Sequence, residues 1–227
     1  MVSGVLFDLD GTLLDCIVPM ERIFIRVVES LGFMITAEKR NEAAANLRRI
    51  LLHGSAPFDG IRLLWRIGHF IGMPPHRRIA MILLTYRALR DAFLNSPLLP
   101  GAEDVLRTLK KKGFPIVIVT TRSAKEALHV LRRHSLEGYF DLVVSRDQVR
   151  RGKPYPDPVL FALKRIDLDP REAVMIGDMP TDIEAGKAAG TKTLGVAAGI
   201  FNEELRRSQP DAIVSSLYEI PEVLERL

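Results

Sequence analysis

A single cysteine, Cys16, stands among 227 residues. One thiol excludes an intramolecular disulfide framework, a CxxC redox pair and a thiolate zinc site, so a reducing, cytoplasmic setting is the expectation. Long hydrophobic runs are missing as well. The longest in the middle of the chain, IAMILLTY over 79–86, sits between Arg78 and Arg87. It falls far short of the about 20 residues that a membrane span needs, and it reads as a buried helix face. The opening MVSGVLFDLDGT lacks the basic segment and the apolar length of a secretory signal, so export is not expected. Charge of one sign is scarce: 32 Lys and Arg against 28 Asp and Glu leave +4. No Lys/Arg block is interleaved with aromatics, and neither a nucleic-acid nor a membrane partner is expected. At roughly 150 residues per domain, the length suits one large domain or one domain plus a smaller insert.

What is there alternates between two textures. The runs 4–9, 115–119, 140–144, 173–176, 193–196 and 212–214 are short, apolar and rich in Val and Ile, the pattern of strands buried on both faces. Helical patterns fall between the later ones, over 102–112, 123–134, 157–166 and 181–189. Gly113 and Gly190 are placed to take the left-handed conformation past two of these helices, and Ser123 to cap a third. Strict alternation of strand and helix predicts an α/β fold with a Rossmann-like parallel sheet.

Residues 17–95 carry no strand signal. Met20, Ile23, Phe24, Val27, Val28 and Leu31 follow helical spacing, and 37–52, 58–71 and 76–94 also read as helices, with Gly54, Pro57, Gly72, Pro74 and Pro75 as breaks. The chain therefore divides into a core of 1–15 and 97–227 and an inserted all-helical domain of 16–96. Charge divides along the same line: residues 16–97 hold 12 Lys/Arg against six Asp/Glu, or +6, and the remainder 20 against 22, or −2. The basic excess suits solvated helix faces or the attraction of an anionic substrate. Trp65, with Ile61, Leu64 and Ile67, reads as packing of an insert helix. His53, His69 and His76 have no partners at metal-ligand spacing.

The chemistry concentrates at strand ends. In Asp8-Leu9-Asp10-Gly11-Thr12, two acids two apart on an extended segment point the same way. Like charges held together repel, and a divalent cation relieves them. Three further signals follow in order: Thr120, Thr121 and Arg122 after PIVIV; Lys153 and Pro154 after the third strand; Gly177, Asp178 and Asp182 after AVMI. All lie where an α/β sheet presents ligand-binding strand ends.

This ordered set resembles the haloacid dehalogenase superfamily of phosphohydrolases, and the resemblance spans nearly the whole chain. It implies that Asp8 is a nucleophile forming an aspartyl-phosphate and Asp10 the general acid and base. It also implies Mg²⁺ as cofactor, held by Asp8, the backbone carbonyl of Asp10 and Asp178, with Asp182 orienting the metal's waters. Lys153 would pair with Asp8 and the phosphate, while Thr120 and the amides near Gly11 and Thr121 would hold phosphate oxygens. Arg122 departs from the small polar residue of many relatives; it either makes an extra phosphate or substrate contact or pairs on the surface.

The helical insert resembles the C1 type of cap, which closes over the core and selects substrates. Arg22, Arg26, Arg48, Arg49, Arg62 and Arg66 suggest a second anionic group on the substrate. The expected activity is Mg²⁺-dependent hydrolysis of a small phosphorylated metabolite, phosphoglycolate or a sugar phosphate. A phosphomutase would use the same motifs, and a non-catalytic binding protein could retain the fold. Dehalogenation needs no acid at Asp10. A phosphonatase needs a cap lysine, and the insert has only Lys39. A monomer or homodimer is expected.

Overall fold

The structure, a computed structural model, describes residues 2–34, 36, 59–197 and 201–227. The helix expected over 37–52 lies outside these, as do Lys39, Arg48, Arg49 and His53. The chain divides into two compact units, Met1–Asp15 with Ser96–Leu227, and Cys16–Asn95.

The first unit is an α/β fold around six strands: β1 Gly4–Phe7, β2 Ile116–Val119, β3 Leu142–Val144, β4 Ala173–Gly177, β5 Lys192–Val196 and β6 Ala212–Val214. They form one sheet in the order β3-β2-β1-β4-β5-β6, every neighbouring pair parallel. All six expected strands are present. They were legible because strands covered on both faces are apolar at every position, and β1, β2 and β4 are buried throughout.

Within the second unit α1 (Ile17–Ser30), α2 (Asp59–Phe70) and α3 (Pro75–Leu94) are helical. In the first unit α4 (Ala102–Lys111), α5 (Ala124–Arg133), α6 (Asp157–Ile166) and α7 (Pro180–Ala189) follow strands or precede them, and α8 (Asn202–Arg207) and α9 (Ile220–Leu224) are short additions. Leu6, Val117, Val119, Val144 and Met175 on one face of the sheet pack with Val159, Ala162 and Leu163 of α6 and Ala185 and Ala189 of α7. Val5, Phe7, Ile116 and Ile118 alternate to the opposite face and are equally buried. Ser123 caps α5 as expected. Its hydroxyl accepts from the Glu126 amide, and the Glu126 carboxylate accepts from the Ser123 amide, a reciprocal box. Gly113 and Gly190 take positive φ past α4 and α7.

In the helical unit Val28, Ile71, Met73 and Met81 form the core, with Phe24, Leu64 and Ile82 against them. Two expectations need correction here. Of the run 79–86 only Met81 and Thr85 are buried, while Ile79, Leu83, Leu84 and Tyr86 are exposed. A continuous apolar run in a helix points in every direction, so one neighbour cannot cover it. Trp65 and Ile61 are 39% and 43% exposed, with Arg78 stacked 5.3 Å from the Trp65 ring. Part of the basic excess is structural: Arg77 donates to the Leu31 carbonyl at 2.6 Å and Arg78 to that of Met73 at 2.6 Å. Arg26 and Arg87 line a groove between α1 and α3, together with Asp91.

Candidate active site

β1 runs through the middle of the sheet; the chain goes from it to β2 and β3 on one side and then crosses back past it to β4, β5 and β6 on the other. Such a switch point opens a crevice at the carboxyl ends of the strands. Phe7 registers with Ile118 on one side and Ile176 on the other, so Asp8, Thr120 and Asp178 leave the sheet at nearly one level. The Asp8 amide still donates to the Ile176 carbonyl at 2.8 Å, which holds the start of the DxDGT turn against β4.

Three carboxylates meet there. One oxygen each of Asp8, Asp178 and Asp182 lies within 4.8 Å of the others, and all three side chains are buried. Lys153 enters from the loop after β3. Its Nζ donates to Asp8 Oδ1 at 2.5 Å and to the Val119 carbonyl at 3.1 Å, and it sits 2.6 Å from Asp182 Oδ1. Its three ammonium hydrogens are matched by these three acceptors. Asp182 Oδ2 accepts from the Met179 amide at 3.1 Å, because Asp182 occupies the third position of α7. Thr12 Oγ1 donates to Asp178 Oδ1 at 3.2 Å.

Glycine is required where the two segments touch. Gly11 has φ +87°, and a Cβ there would lie 2.3 Å from an Asp178 carboxylate oxygen. At Gly177 a Cβ would lie 2.3 Å from Asp182. Side chains at either position would drive the acids apart.

The electrostatics follow from this crowding. Burial pushes the Asp8 carboxyl up to about 7; the charges of Asp182 and Asp10 add to it, while Lys153 opposes. Burial, with the Asp8 and Asp182 charges, also raises Asp178 well above the carboxylate range, against the Thr12 hydrogen bond and Lys153. For Lys153 burial acts downward, but Asp182 and Asp8 outweigh it and hold the ammonium charged. Three ionised carboxylates against one ammonium leave two negative charges, the deficit that one divalent cation neutralises. The donors are all hard oxygens, so the residues fit such an ion.

This fit has a measurable consequence. Without metal, folded Asp8 binds its proton more tightly than the unfolded chain, where its value is 3.8. Between about pH 4 and 7 the native state therefore carries more protons, and stability falls as pH rises. Thermal unfolding of chelator-treated protein is expected to show a Tm that drops across this window. Divalent cation is expected to raise Tm much more at pH 8 than at pH 5.5, since it must displace the proton. A metal-free Tm climbing steadily from pH 5 to 8 would contradict the assignment.

The other expected site residues sit around this centre, with two differences. Thr120 is buried, and its hydroxyl accepts from the Arg122 amide at 3.2 Å; Thr121 is exposed at the same turn. Of the amides near Gly11, expected to hold phosphate oxygens, that of Gly11 itself donates to the Leu14 carbonyl at 2.8 Å and closes its own turn. Arg122 does not pair on the surface. It is 7% exposed, and its Nε and Nη2 grip both carboxylate oxygens of Asp10 at 2.6–3.0 Å. Sequence reasoning gave no role to Thr12, although it stands inside the DxDGT run, and missed the tie between Asp182 and Lys153. The spacing of Met179 and Asp182 around a helix start was the available signal.

The sequence pattern of the family described as Haloacid dehalogenase-like hydrolase matches residues 5–196. The pyrophosphatase PpaX of Bacillus pumilus is 35% identical over 225 residues, covering 96% of this chain and 94% of its own length. The phosphoglycolate phosphatase of Shigella dysenteriae is 29% identical, covering 96% and 91%. Among solved structures, a Thermotoga maritima protein provisionally named a beta-phosphoglucomutase superposes with a TM-score of 0.78 at 28% identity, over 100% of both chains.

Proposed function

This chain belongs to the haloacid dehalogenase-like hydrolase family, and we propose that it is a Mg²⁺-dependent phosphatase acting on a small phosphorylated metabolite through an aspartyl-phosphate. The observation carrying this reading is the buried meeting of Asp8, Asp178, Asp182 and Lys153 beside Asp10, at the end of the central strand. Oxygen-only donors support Mg²⁺, which keeps several waters. Asp8, the Asp10 carbonyl and Asp178 would hold it, and Asp182 would orient its waters. When bound, the ion offsets negative charge on Asp8 and on the phosphoryl oxygens.

An oxygen of Asp8 attacks phosphorus, and the bond from phosphorus to the ester oxygen breaks. Asp10 gives that oxygen its proton. Asp10 then takes a proton from water, whose oxygen attacks phosphorus and releases the Asp8 carboxylate. Lys153 and the Thr120–Thr121 turn stabilise the equatorial oxygens in both displacements. The Arg122 guanidinium is taken up by Asp10 and is not a phosphate contact in this reading, whereas the backbone around Gly11 is one. Residues 16–96 act as a cap that reads the leaving group, and their excess of arginine favours a substrate with a second anionic group.

The relatives' names favour phosphoglycolate and pyrophosphate as first substrates to try. The mutase reading is favoured by the Thermotoga likeness and would return the phosphoryl group to a sugar. Assay of phosphate release over a metabolite panel, with Mg²⁺ or with chelator, tests the proposal. Release that depends on Mg²⁺ is expected. Glucose 1-phosphate is the discriminating substrate: free phosphate supports the phosphatase, and conversion to the 6-phosphate supports the mutase. An enzyme that releases no phosphate from any phosphoester and interconverts no sugar phosphate would be neither.

A further inference from the structure

Arg122 and Asp10 stand 112 positions apart and form a largely buried ion pair beside the carboxylate cluster. Nε donates to both Asp10 oxygens, at 3.0 and 2.8 Å, and Nη2 to Oδ1 at 2.6 Å. The arginine side chain is 7% exposed and that of Asp10 22%. A guanidinium fork meeting a carboxylate in this manner fixes the plane of the carboxyl group as well as its place, which an ammonium does not.

The arginine is itself held. Its amide donates to Thr120 Oγ1 at 3.2 Å, and its carbonyl accepts from the Arg146 amide at 3.1 Å. The backbone carrying the fork is thus bolted to the end of β2 and to the segment after β3. Asp10 lies in the turn after β1, three residues beyond Phe7, the last residue of that strand. A carboxyl group in a turn would otherwise rotate about two side-chain torsions.

We propose that Arg122 is a positioning residue: it orients the carboxyl group of Asp10, and it ties that orientation to the turn carrying Thr120. The inference rests on the phosphatase reading, in which Asp10 transfers protons to and from the reacting oxygens. A misplaced proton-transfer group costs about 10²-fold even when every binding group is intact. That cost falls on leaving oxygens that need a proton and spares those that depart unaided.

The test compares kcat/KM of wild type, R122M and R122K on p-nitrophenyl phosphate and on the best alkyl phosphate of the panel, with Mg²⁺. kcat/KM reports steps up to phosphoryl transfer, where leaving-group protonation acts. R122M is expected to lose about 10²-fold on the alkyl ester and little on the nitrophenyl ester. R122K keeps the charge without the fork and should show the same selectivity with a Tm closer to wild type, so the comparison survives if R122M folds poorly. On a D10N background, R122M is expected to add almost nothing, since its effect runs through Asp10. Equal losses on both esters, with weaker inhibition by inorganic phosphate, would make Arg122 a phosphate grip and overturn the proposal. Equal losses accompanied only by a lower Tm, or full additivity with D10N, would overturn it as well. A wild type that turns over no phosphoester at all rejects the phosphatase reading first, and this inference with it.

Discussion

Asp8→Asn is expected to abolish turnover, by about 10⁴-fold or more as for other nucleophile deletions, while the protein folds as well as wild type or better. The two halves of this expectation have separate causes. An amide oxygen of Asn does not form the acyl-phosphate, so the route through Asp8 is closed, and the other two carboxylates of the cluster, Asp178 and Asp182, are assigned to the cation and its waters rather than to phosphorus. Stability moves the other way because burial, with the charges of Asp182 and Asp10 added, lifts the Asp8 carboxyl to about 7. At pH 8, without metal, the folded chain carries an ionised Asp8 whose burial is unfavourable; the amide removes that charge at nearly constant volume. Lys153 keeps Asp182 at 2.6 Å and the Val119 carbonyl at 3.1 Å, so its ammonium is not stranded. Phosphate release and thermal unfolding at pH 8 in chelator measure both halves. Activity within tenfold of wild type would remove Asp8 from the mechanism. Loss of activity with a collapsed Tm would leave the nucleophile unproven and call for labelled phosphate trapping on the wild-type Asp8.

The divide between what the sequence shows and what it hides is physical. All six strands were legible because parallel strands covered on both faces must be apolar at consecutive positions, as β1, β2 and β4 are. The helix ends at Gly113, Ser123 and Gly190 were legible because capping is local chemistry. α8 and α9, of six and five residues, are too short to show a helical period. Residues 79–86 misled because an apolar run does not say which neighbour covers it. At the site, strand-end positions put Asp8, Thr120 and Asp178 at one rim of the sheet by topology, and the loop after β3 carries Lys153 onto Asp8. The partners within the site were not legible. Whether Arg122 meets solvent, phosphate or Asp10 depends on sheet register and rotamer across 112 residues, and whether Asp182 serves a cation or Lys153 depends on a helix start.

Lys153→Met isolates the charge balance on which the site depends. Lys153 is the ammonium that offsets the carboxylate cluster; it lies against Asp8 and Asp182 with its own side chain only 4% exposed. Methionine fills a similar volume but leaves three buried acids facing one another. Breaking a buried pair in this way costs about 3–5 kcal/mol, or about 10 °C in Tm for a chain of this size. The cost is conditional on ionisation, which makes its sign testable. Asp8 and Asp178 already titrate above the ordinary carboxylate range, and removing the cation raises them further. The folded variant then binds more protons than the unfolded chain over a wider span, so its stability declines with rising pH more steeply and to a higher pH than wild type. The Tm deficit is expected to be small at pH 5 and large at pH 8 in chelator, and to shrink again when a divalent cation is added. Turnover should fall about 10²-fold or more even in saturating Mg²⁺, because the cation restores the charge but leaves the phosphoryl oxygens one donor short. A deficit equal at both pH values would mean that Lys153 contributes packing alone, and the two missing positive charges would have to be sought elsewhere.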